Sequence, residues 1–212
     1  MHTAVEQLLA VIPAAGLSRR MGQPKLLLTL GGKSILERLL LALDHPSITT
    51  RTVVVRAGDI PLRQEASRLG ASVVIPAADP PDMKMSVTLA LDAIQRKYSP
   101  NDDDGWLLVP ADHPVLDRRL IDAMINCWNT RQPRILVPRH GDRRGHPTMF
   151  RWSLAREVGR IPPESGLNWL LREFASDVME LPVDTDAALT DLDTPEDFAR
   201  LQARWAAQAA SD

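Results

Sequence analysis

Five short apolar runs alternate with segments of helical spacing along this chain, and the alternation limits the folds it can adopt. Each run ends at or next to Gly, Pro or Asp, as buried parallel strands do. Parallel strands joined through helices place the helices on both faces of one sheet. We therefore predict an α/β fold with three layers, α/β/α, around a mostly parallel sheet. The predicted strands are 8–16, 51–58, 71–77, 105–114 and 134–141, and the predicted helices are 34–45, 60–70, 86–98 and 117–129. Residues 178–210 are predicted to form a further strand, an acidic turn and a helix opened by Asp193 or Thr194.

The length and composition of the chain are typical of one globular domain. Its 212 residues are 44% hydrophobic and 25% charged, which allows a substantial core. We predict a single domain over residues 1–212, with a frayed Ala-rich tail at about 206–212. The one cysteine, Cys127, has no partner for an intramolecular disulfide or a multi-cysteine metal site, and we expect it to be a core thiol.

Charge and hydropathy argue against two classes of partner. The formal net charge of -2 provides no general attraction for nucleic acid or an anionic membrane, so any bound anion needs a local cluster of cations. No apolar run reaches the ~18 residues of a membrane span, and no signal-type segment opens the chain. We therefore expect a cytoplasmic protein without nucleic-acid or membrane partners.

The turn after the first apolar run carries such a cluster. Ligands of open parallel sheets bind outside the carboxyl ends of the strands, so residues just after a run are candidates for contact. Gly16 and Gly22 bracket Arg19 and Arg20, and Lys25 follows. A guanidinium and an ammonium on one irregular loop can hold a polyphosphate from two sides. The alternative is a solvated basic turn.

Three well-known loop motifs do not match this turn. The Walker pattern needs a glycine where Leu27 stands, and no G-x-G-x-x-G follows any predicted strand. The serine-hydrolase elbow needs a glycine where Arg20 stands, so Ser18 is better interpreted as a turn or cap residue. The chain shows no Ser/His/Asp or Cys/His arrangement for nucleophilic catalysis.

Residues 14–28, AAGLSRRMGQPKLLL, resemble the signature of the MobA-like nucleotidyltransferases, in the branch that includes the molybdenum cofactor cytidylyltransferases. Pro13 departs mildly from the small or apolar residue usual before this signature. Three further segments follow in the order of the family. They are VPADHPVL (109–116), similar to the magnesium-binding element, RRGHPTMF (143–150), with the Gly-His-Pro of the cofactor-modifying branch, and DLDTPEDF (191–198), similar to the C-terminal acidic motif.

The resemblance implies a fold like that of the nucleotide-diphospho-sugar transferases and a defined reaction. The expected reaction moves CMP from CTP to molybdopterin, or to its molybdenum-loaded form, with release of pyrophosphate and with Mg²⁺ as cofactor. The acceptor phosphate has a second pKa of about 6 and is largely ionised at neutral pH, so the reaction needs no general base. A molybdoenzyme would be the partner that uses the product.

The resemblance also assigns residues to the triphosphate and the metal. Arg20 and Lys25 would hold the β and γ phosphates, and Asp112 would bind magnesium, which makes these three the expected catalytic residues. Asp193 is the expected second metal ligand, with Asp191 as the other candidate. The alternatives are that Asp112 caps the helix near 117 and that Asp193 caps the helix that follows Thr194. The expected nucleotide-binding residues are Ala14, Ala15, Gly16, Leu17, Arg20, Lys25 and Ser86.

Two segments leave the recognition of the substrates open. Met83 to Ser86 stand where family members often have Gly-Met-Ser near the base, so the base preference is open. Ser86 could touch the nucleotide or cap its helix, and Lys84 could contact phosphate or be a solvated charge. We assign His146 to the acceptor side, with Arg143 and Arg144 as candidate partners of the acceptor phosphate.

Two other functions fit the same sequence less well. One is a transferase that uses another nucleotide, such as GTP, or a sugar-phosphate acceptor. The other is a nucleotide- or cofactor-binding chaperone without turnover. Retention of Arg20, Lys25, Asp112 and Asp193 argues against the chaperone, because a protein that only binds has no need of the metal carboxylates.

Overall fold

The computed structural model describes residues 7–209, which form ten strands, six α-helices and four 3-10 helices. The strands are β1 (Leu8–Pro13), β2 (Thr29–Leu30), β3 (Lys33–Ser34), β4 (Ile48–Val54), β5 (Ser72–Val74), β6 (Gly105–Leu108), β7 (Ile135–His140), β8 (Arg143–Arg144), β9 (Thr148–Arg151) and β10 (Val178–Pro182). The α-helices are α1 (Ile35–Ala42), α2 (Ile60–Arg68), α3 (Met83–Tyr98), α4 (Arg118–Arg131), α5 (Asn168–Glu173) and α6 (Pro195–Ala209). The 3-10 helices are Lys25–Leu27, Trp152–Arg160, Ala175–Asp177 and Asp186–Ala188.

Eight strands form one mostly parallel sheet, which confirms the predicted fold class. Its order is β10-β7-β9-β6-β1-β4-β5, with β8 paired to β7, while β2 and β3 form a separate hairpin. β1 is parallel to both β4 and β6, and β10 is parallel to β7. The sequence analysis did not predict β9, which runs antiparallel between β6 and β7. β9 contains only two apolar residues, Met149 and Phe150, between Thr148 and Arg151, so it lacks the apolar run by which the other strands were predicted.

Alternating side chains of β1 build the two apolar layers that separate the sheet from its helices. Leu8, Ala10 and Ile12 belong to the layer under α1, α2, α4 and α6, whereas Leu9 and Val11 belong to the layer under α3 and α5. All five are essentially inaccessible to solvent. A strand with both faces buried is apolar throughout, which explains why it reads as a continuous hydrophobic run.

The predicted strands extend past the observed ones at the carboxyl edge of the sheet. The first predicted strand, 8–16, ends as a strand at Pro13, and the predicted 105–114 ends at Leu108. The remaining residues of each run form loops at that edge. These loops carry the candidate site residues. The segments that were predicted as strand but form loops are therefore the ones that build the site.

The structure also bears on the predictions for Cys127, the C-terminal tail and membrane spans. Cys127 is half-buried against the core, and burial raises the pKa of its thiol. Residues 206–209 of the predicted frayed tail continue α6, and 210–212 lie outside the described residues. Within residues 7–209, no helix has the length and apolar character needed to cross a membrane.

Candidate active site

The turn after β1 folds back on itself and returns Lys25 to the end of the strand. Ser18 and Gly22 both have positive φ angles, 48° and 68°. The carbonyl of Ser18 accepts hydrogen bonds from the amides of Met21 (3.0 Å) and Gly22 (3.1 Å). Met21 is buried and anchors the turn in the core. The structure therefore supports the interpretation of Ser18 as a turn residue.

A cavity of about 390 Å³ lies at the carboxyl edge of the sheet, between this turn, the start of α3 and the loop after β6. Asp82, which the sequence analysis did not name, and Met83, the first residue of the segment expected near the base, also line it. The cavity brings together the predicted nucleotide-binding and metal-binding residues. They are Ala14, Ala15, Gly16, Leu17, Arg20, Lys25, Ser86, Asp112 and Asp193.

Lys25 joins the two predicted metal carboxylates. Its Nζ donates to Asp112 Oδ2 (3.0 Å), to Asp193 Oδ1 (3.0 Å) and to the carbonyl of Leu192 (2.8 Å). The Lys25 side chain is 14% exposed, and the carboxylates of Asp112 and Asp193 are 27% and 25% exposed. The Lys25 ammonium thus sits among three oxygens in a partly desolvated position.

Arg20 completes the charged cluster from the solvent side. Its Nη2 donates to Asp193 Oδ2 (2.7 Å), and its side chain is 71% exposed. Arg19 is also exposed and lines the cavity. Two cations and two carboxylates therefore meet at one cavity although they come from three distant parts of the chain.

The helix-cap interpretations of Asp112 and Asp193 are wrong. Asp117 caps α4, because its Oδ1 accepts from the amide of Leu120 (2.8 Å). At the start of α6, the Thr194 hydroxyl accepts from the amide of Asp197 (3.2 Å), and Asp197 Oδ2 accepts from the amide of Thr194 (2.8 Å). This reciprocal cap leaves the carboxylate of Asp193 directed to Arg20 and Lys25.

A backbone hydrogen bond holds the two carboxylate-bearing loops together. The amide of Leu192 donates to the carbonyl of Asp112 (2.9 Å). Asp193 follows directly and lines the cavity, whereas Asp191 is exposed and does not belong to the lining. The geometry therefore favours Asp193 over Asp191 as the partner of Asp112.

The oxygen donors around Lys25 Nζ are of the kind that magnesium prefers. Two carboxylates and one carbonyl converge on a single cation, and Mg²⁺ is usually bound by one or two carboxylates completed by water and phosphate oxygens. Among residues 7–209, no three His, Cys, Asp or Glu side chains are grouped so as to hold a metal on their own. The residues therefore fit a divalent cation that also binds a phosphate ligand.

The start of α3 forms one wall of the cavity. Asp82 caps this helix, because its Oδ1 accepts from the amide of Met85 (2.7 Å). The interpretation of Ser86 as the cap is therefore wrong. Ser86 is buried, donates to the carbonyl of Asp82 (3.3 Å) and lines the cavity. An Asp just ahead of the helical segment is a capping signal that the sequence analysis overlooked.

Lys84 is half-buried and joins α3 to the segment at 162–165. Its Nζ donates to the carbonyls of Pro162 (3.0 Å), Ser165 (3.4 Å) and Pro163 (3.5 Å). The interpretation of Lys84 as a solvated charge is therefore wrong. In this structure its ammonium stabilises the backbone behind the cavity wall.

The Gly-His-Pro segment packs behind the Asp112 loop and does not line the cavity. The rings of His146 and His113 are in edge contact, with their centroids 5.1 Å apart. Burial, together with the neighbouring His113, lowers the pKa of His146 to about 4, and burial also lowers the pKa of His113. Both imidazoles are therefore neutral at pH 7.

Close packing explains the glycine of this segment. A Cβ on Gly145 would lie 2.3 Å from the carbonyl oxygen of Ala188, and the amide of His146 donates to that same oxygen (2.8 Å). The segment is therefore docked on the 3-10 helix that precedes the acidic motif. His146 is positioned by backbone contacts and burial.

Arg144 lies apart from the charged cluster. Its Nε donates to Glu180 Oε1 (2.7 Å), and Arg139 forms an ion pair with the other oxygen of Glu180 (2.9 Å). The neighbouring Arg143 is exposed on the same short hairpin. The structure does not bring these arginines to the cavity, so their role at the acceptor stays a prediction.

Comparison with known proteins defines first the class and then the family. Among solved structures, Rv0371c of Mycobacterium tuberculosis H37Rv has a TM-score of 0.78 at 25% identity and covers 93% of this chain and 98% of that one. A 4-diphosphocytidyl-2C-methyl-D-erythritol synthase has a TM-score of 0.71 at 16% identity and covers 93% and 98% of the two chains. The fold is that of the nucleotide-diphospho-sugar transferases.

Residues 10–178 match the model of the MobA-like NTP transferase domain, so the chain belongs to this nucleotidyltransferase family. The molybdenum cofactor cytidylyltransferase of Escherichia coli K12 is 24% identical over 196 residues, which are 92% of this chain and 95% of that protein. The 2-C-methyl-D-erythritol 4-phosphate cytidylyltransferase of Pseudomonas fluorescens SBW25 is 38% identical over 120 residues, which are 55% of this chain and 50% of that protein.

Proposed function

We propose that this nucleotidyltransferase moves CMP from CTP to molybdopterin, or to its molybdenum-loaded form, and releases pyrophosphate. The observation that carries the proposal is the convergence of Arg20, Lys25, Asp112 and Asp193 on one cavity. The match to a molybdenum cofactor cytidylyltransferase over 92% of the chain supports this choice of nucleotide and acceptor.

The charged cluster supplies what phosphoryl chemistry needs, which is placement and charge neutralisation. Arg20 and Lys25 would bind the β and γ phosphates and stabilise the departing pyrophosphate. Asp112 and Asp193 would hold Mg²⁺, which when bound neutralises charge on the phosphates. The acceptor phosphate is ionised near pH 7 and attacks the α-phosphorus without a general base. The neutral His146 would orient groups on the acceptor side by packing or hydrogen bonding.

A second acceptor class deserves a direct comparison, because the match to a methylerythritol phosphate cytidylyltransferase has the higher identity, 38%, although it spans only half of that protein. Both relatives are cytidylyltransferases by name. Both relatives therefore support cytidylyl transfer, and the experiment has to distinguish between the two acceptors.

The test is magnesium-dependent release of pyrophosphate with CTP, GTP, UTP and ATP, each with molybdopterin, with methylerythritol phosphate or without acceptor. We expect release with CTP and molybdopterin. Release with CTP and methylerythritol phosphate would move the assignment to the second acceptor, and release with GTP would change the nucleotide. Binding of nucleotide without release under every condition would favour the non-catalytic chaperone.

A further inference from the structure

The ammonium of Lys25 lies between the two carboxylates that are expected to bind the metal ion. A lysine ammonium has three N–H donors. In this structure the three acceptors within reach of Nζ are Asp112, Asp193 and the Leu192 carbonyl, at 2.8 to 3.0 Å. Each donor therefore already has an oxygen partner, and contact with a phosphate requires Lys25 to give up at least one of them.

Arg20 is not constrained in the same way. A guanidinium has five N–H donors, and the Arg20 side chain is 71% exposed while its Nη2 binds Asp193. Arg20 can accordingly contact a phosphate and keep its bond to Asp193. Lys25 can bind a phosphate only by giving up a hydrogen bond to one of its present oxygen partners.

We propose that Lys25 is the internal counter-cation of Asp112 and Asp193 in the nucleotide-free protein and so excludes a divalent cation from these carboxylates. When a nucleoside triphosphate binds, the ammonium moves to its phosphates and the carboxylates become available to the metal. The proposal rests on the proposed function for the identity of the ligand. It does not depend on which acceptor is used. The proposal predicts that the metal and the nucleotide bind cooperatively and that Lys25 couples the two binding events.

Electrostatics gives the direction of this coupling. Two positive charges at van der Waals distance repel strongly in a partly desolvated site, so an ammonium and a divalent cation do not share the same carboxylate oxygens. A triphosphate offers Lys25 alternative anionic oxygens and offers the metal further ligands at the same time. Binding of the two ligands therefore becomes mutually favourable, as linkage requires.

The experiment measures binding of Mn²⁺, used as a paramagnetic probe for Mg²⁺, to the full chain by electron paramagnetic resonance. The variant Lys25→Met keeps the length of the side chain and removes the charge. The matched control is Lys84→Met, because the Lys84 ammonium is held by carbonyls alone in the described contacts. Each protein is titrated without nucleotide and with a CTP analogue that has a methylene group between the α and β phosphates.

We expect Lys25→Met to bind Mn²⁺ about tenfold more tightly than the unmodified chain when no nucleotide is present. Lys84→Met should bind as the unmodified chain does. With the analogue present, the advantage of Lys25→Met should disappear, because Lys25 then contributes to binding the phosphates. Equal or weaker Mn²⁺ binding by nucleotide-free Lys25→Met would overturn the proposal.

A double variant identifies the site and guards against misfolding. In Lys25→Met with Asp112→Asn the gain in Mn²⁺ affinity should be lost, and a gain that persists would show that the ion binds elsewhere and refute the proposal. Thermal unfolding with and without Mn²⁺ checks that both variants are folded. Because the decisive comparison uses no nucleotide and no turnover, its failure is distinguishable from failure of the proposed transferase activity.

Discussion

The turn at 14–25 and the segment at 143–150 both match family motifs, but the structure uses them in different ways. The turn brings exposed and half-buried cations to two carboxylates at the cavity. The second segment contributes a half-buried neutral histidine and an arginine that is paired with Glu180 outside the cavity lining. The first segment thus contributes a charge cluster, whereas the second segment contributes packing.

The comparison separates two kinds of sensitivity to mutation. In the turn at 14–25 a substitution should affect turnover and spare the fold, because the charged groups line the cavity and are not packed in the core. In the segment at 143–150 the same size of change should affect stability first, because Gly145 and the amide of His146 are packed against Ala188 in the 3-10 helix before the acidic motif.

The largest effect is expected for Asp112→Asn, which removes one charge from the cation site with little change in shape. Turnover should fall by about a thousandfold, since a preorganised electrostatic contact of this kind contributes roughly 3 to 4 kcal/mol to the transition state. The measurement is the rate of pyrophosphate release at saturating substrates, with the unfolding temperature as the control for folding. Full activity in this variant would show that the metal assignment is wrong.

Gly145→Ala should reverse that pattern. The new Cβ would lie 2.3 Å from the Ala188 carbonyl oxygen, and forced overpacking of this kind costs about 2 kcal/mol. We expect the unfolding temperature to fall by roughly 4–8 °C. Gly58→Ala is the matched control, because its Cβ would meet no atom within 4 Å. Equal unfolding temperatures of the two variants would argue against tight docking of the Gly-His-Pro segment.

The half-buried His146 predicts a pH dependence of stability. The pKa of His146 is lowered by burial from 6.5 to about 4 in the folded chain, so between these values the unfolded chain binds a proton that the folded chain does not. Stability is therefore present above pH 6.5 and is lost as the pH falls towards 4. From pH 7 to pH 5 the loss due to His146 should be about 1 to 2 kcal/mol in urea unfolding.

The variant His146→Gln isolates this contribution. It should flatten the fall in unfolding free energy between pH 7 and pH 5 relative to the unmodified chain. Burial also lowers the pKa of His113, so part of the dependence of the unfolding free energy on pH should remain in this variant. Parallel curves for the two proteins would mean that folding does not lower the pKa of His146.

The smallest effect is expected for Arg144→Ala. Its ion pair with Glu180 is exposed, and pairs of this kind contribute about 0 to 1 kcal/mol to stability. If Arg144 serves the acceptor phosphate, the KM for the acceptor should rise while the KM for the nucleotide stays constant. No change in either KM would leave Arg144 with only its bond to Glu180 and would sharpen the contrast between the two sides of the site.

The fold could be predicted from the sequence because its signals are local. Buried parallel strands are apolar on both faces, and the helices between them keep a helical period, so their alternation predicted the layers and most of the sheet. The antiparallel β9 was not predicted because its two apolar residues, Met149 and Phe150, do not form an apolar run. Helix caps were assigned less well, because several Asp and Thr residues stand at each start and only geometry selects among them.

The sequence by itself determined the class of fold, the family and the residue types available at the carboxyl edge of the sheet. Only the tertiary structure decided which charges meet, because Lys25 and Asp193 are 168 positions apart in the chain and their contact depends on how the strands and the acidic motif pack. The same holds for His146, whose neutrality comes from burial against residues distant in sequence. A motif specifies which residue types are present. Their solvent exposure and contacts, which depend on the whole fold, decide whether a residue acts as a charged group at the cavity or as a packed neutral group.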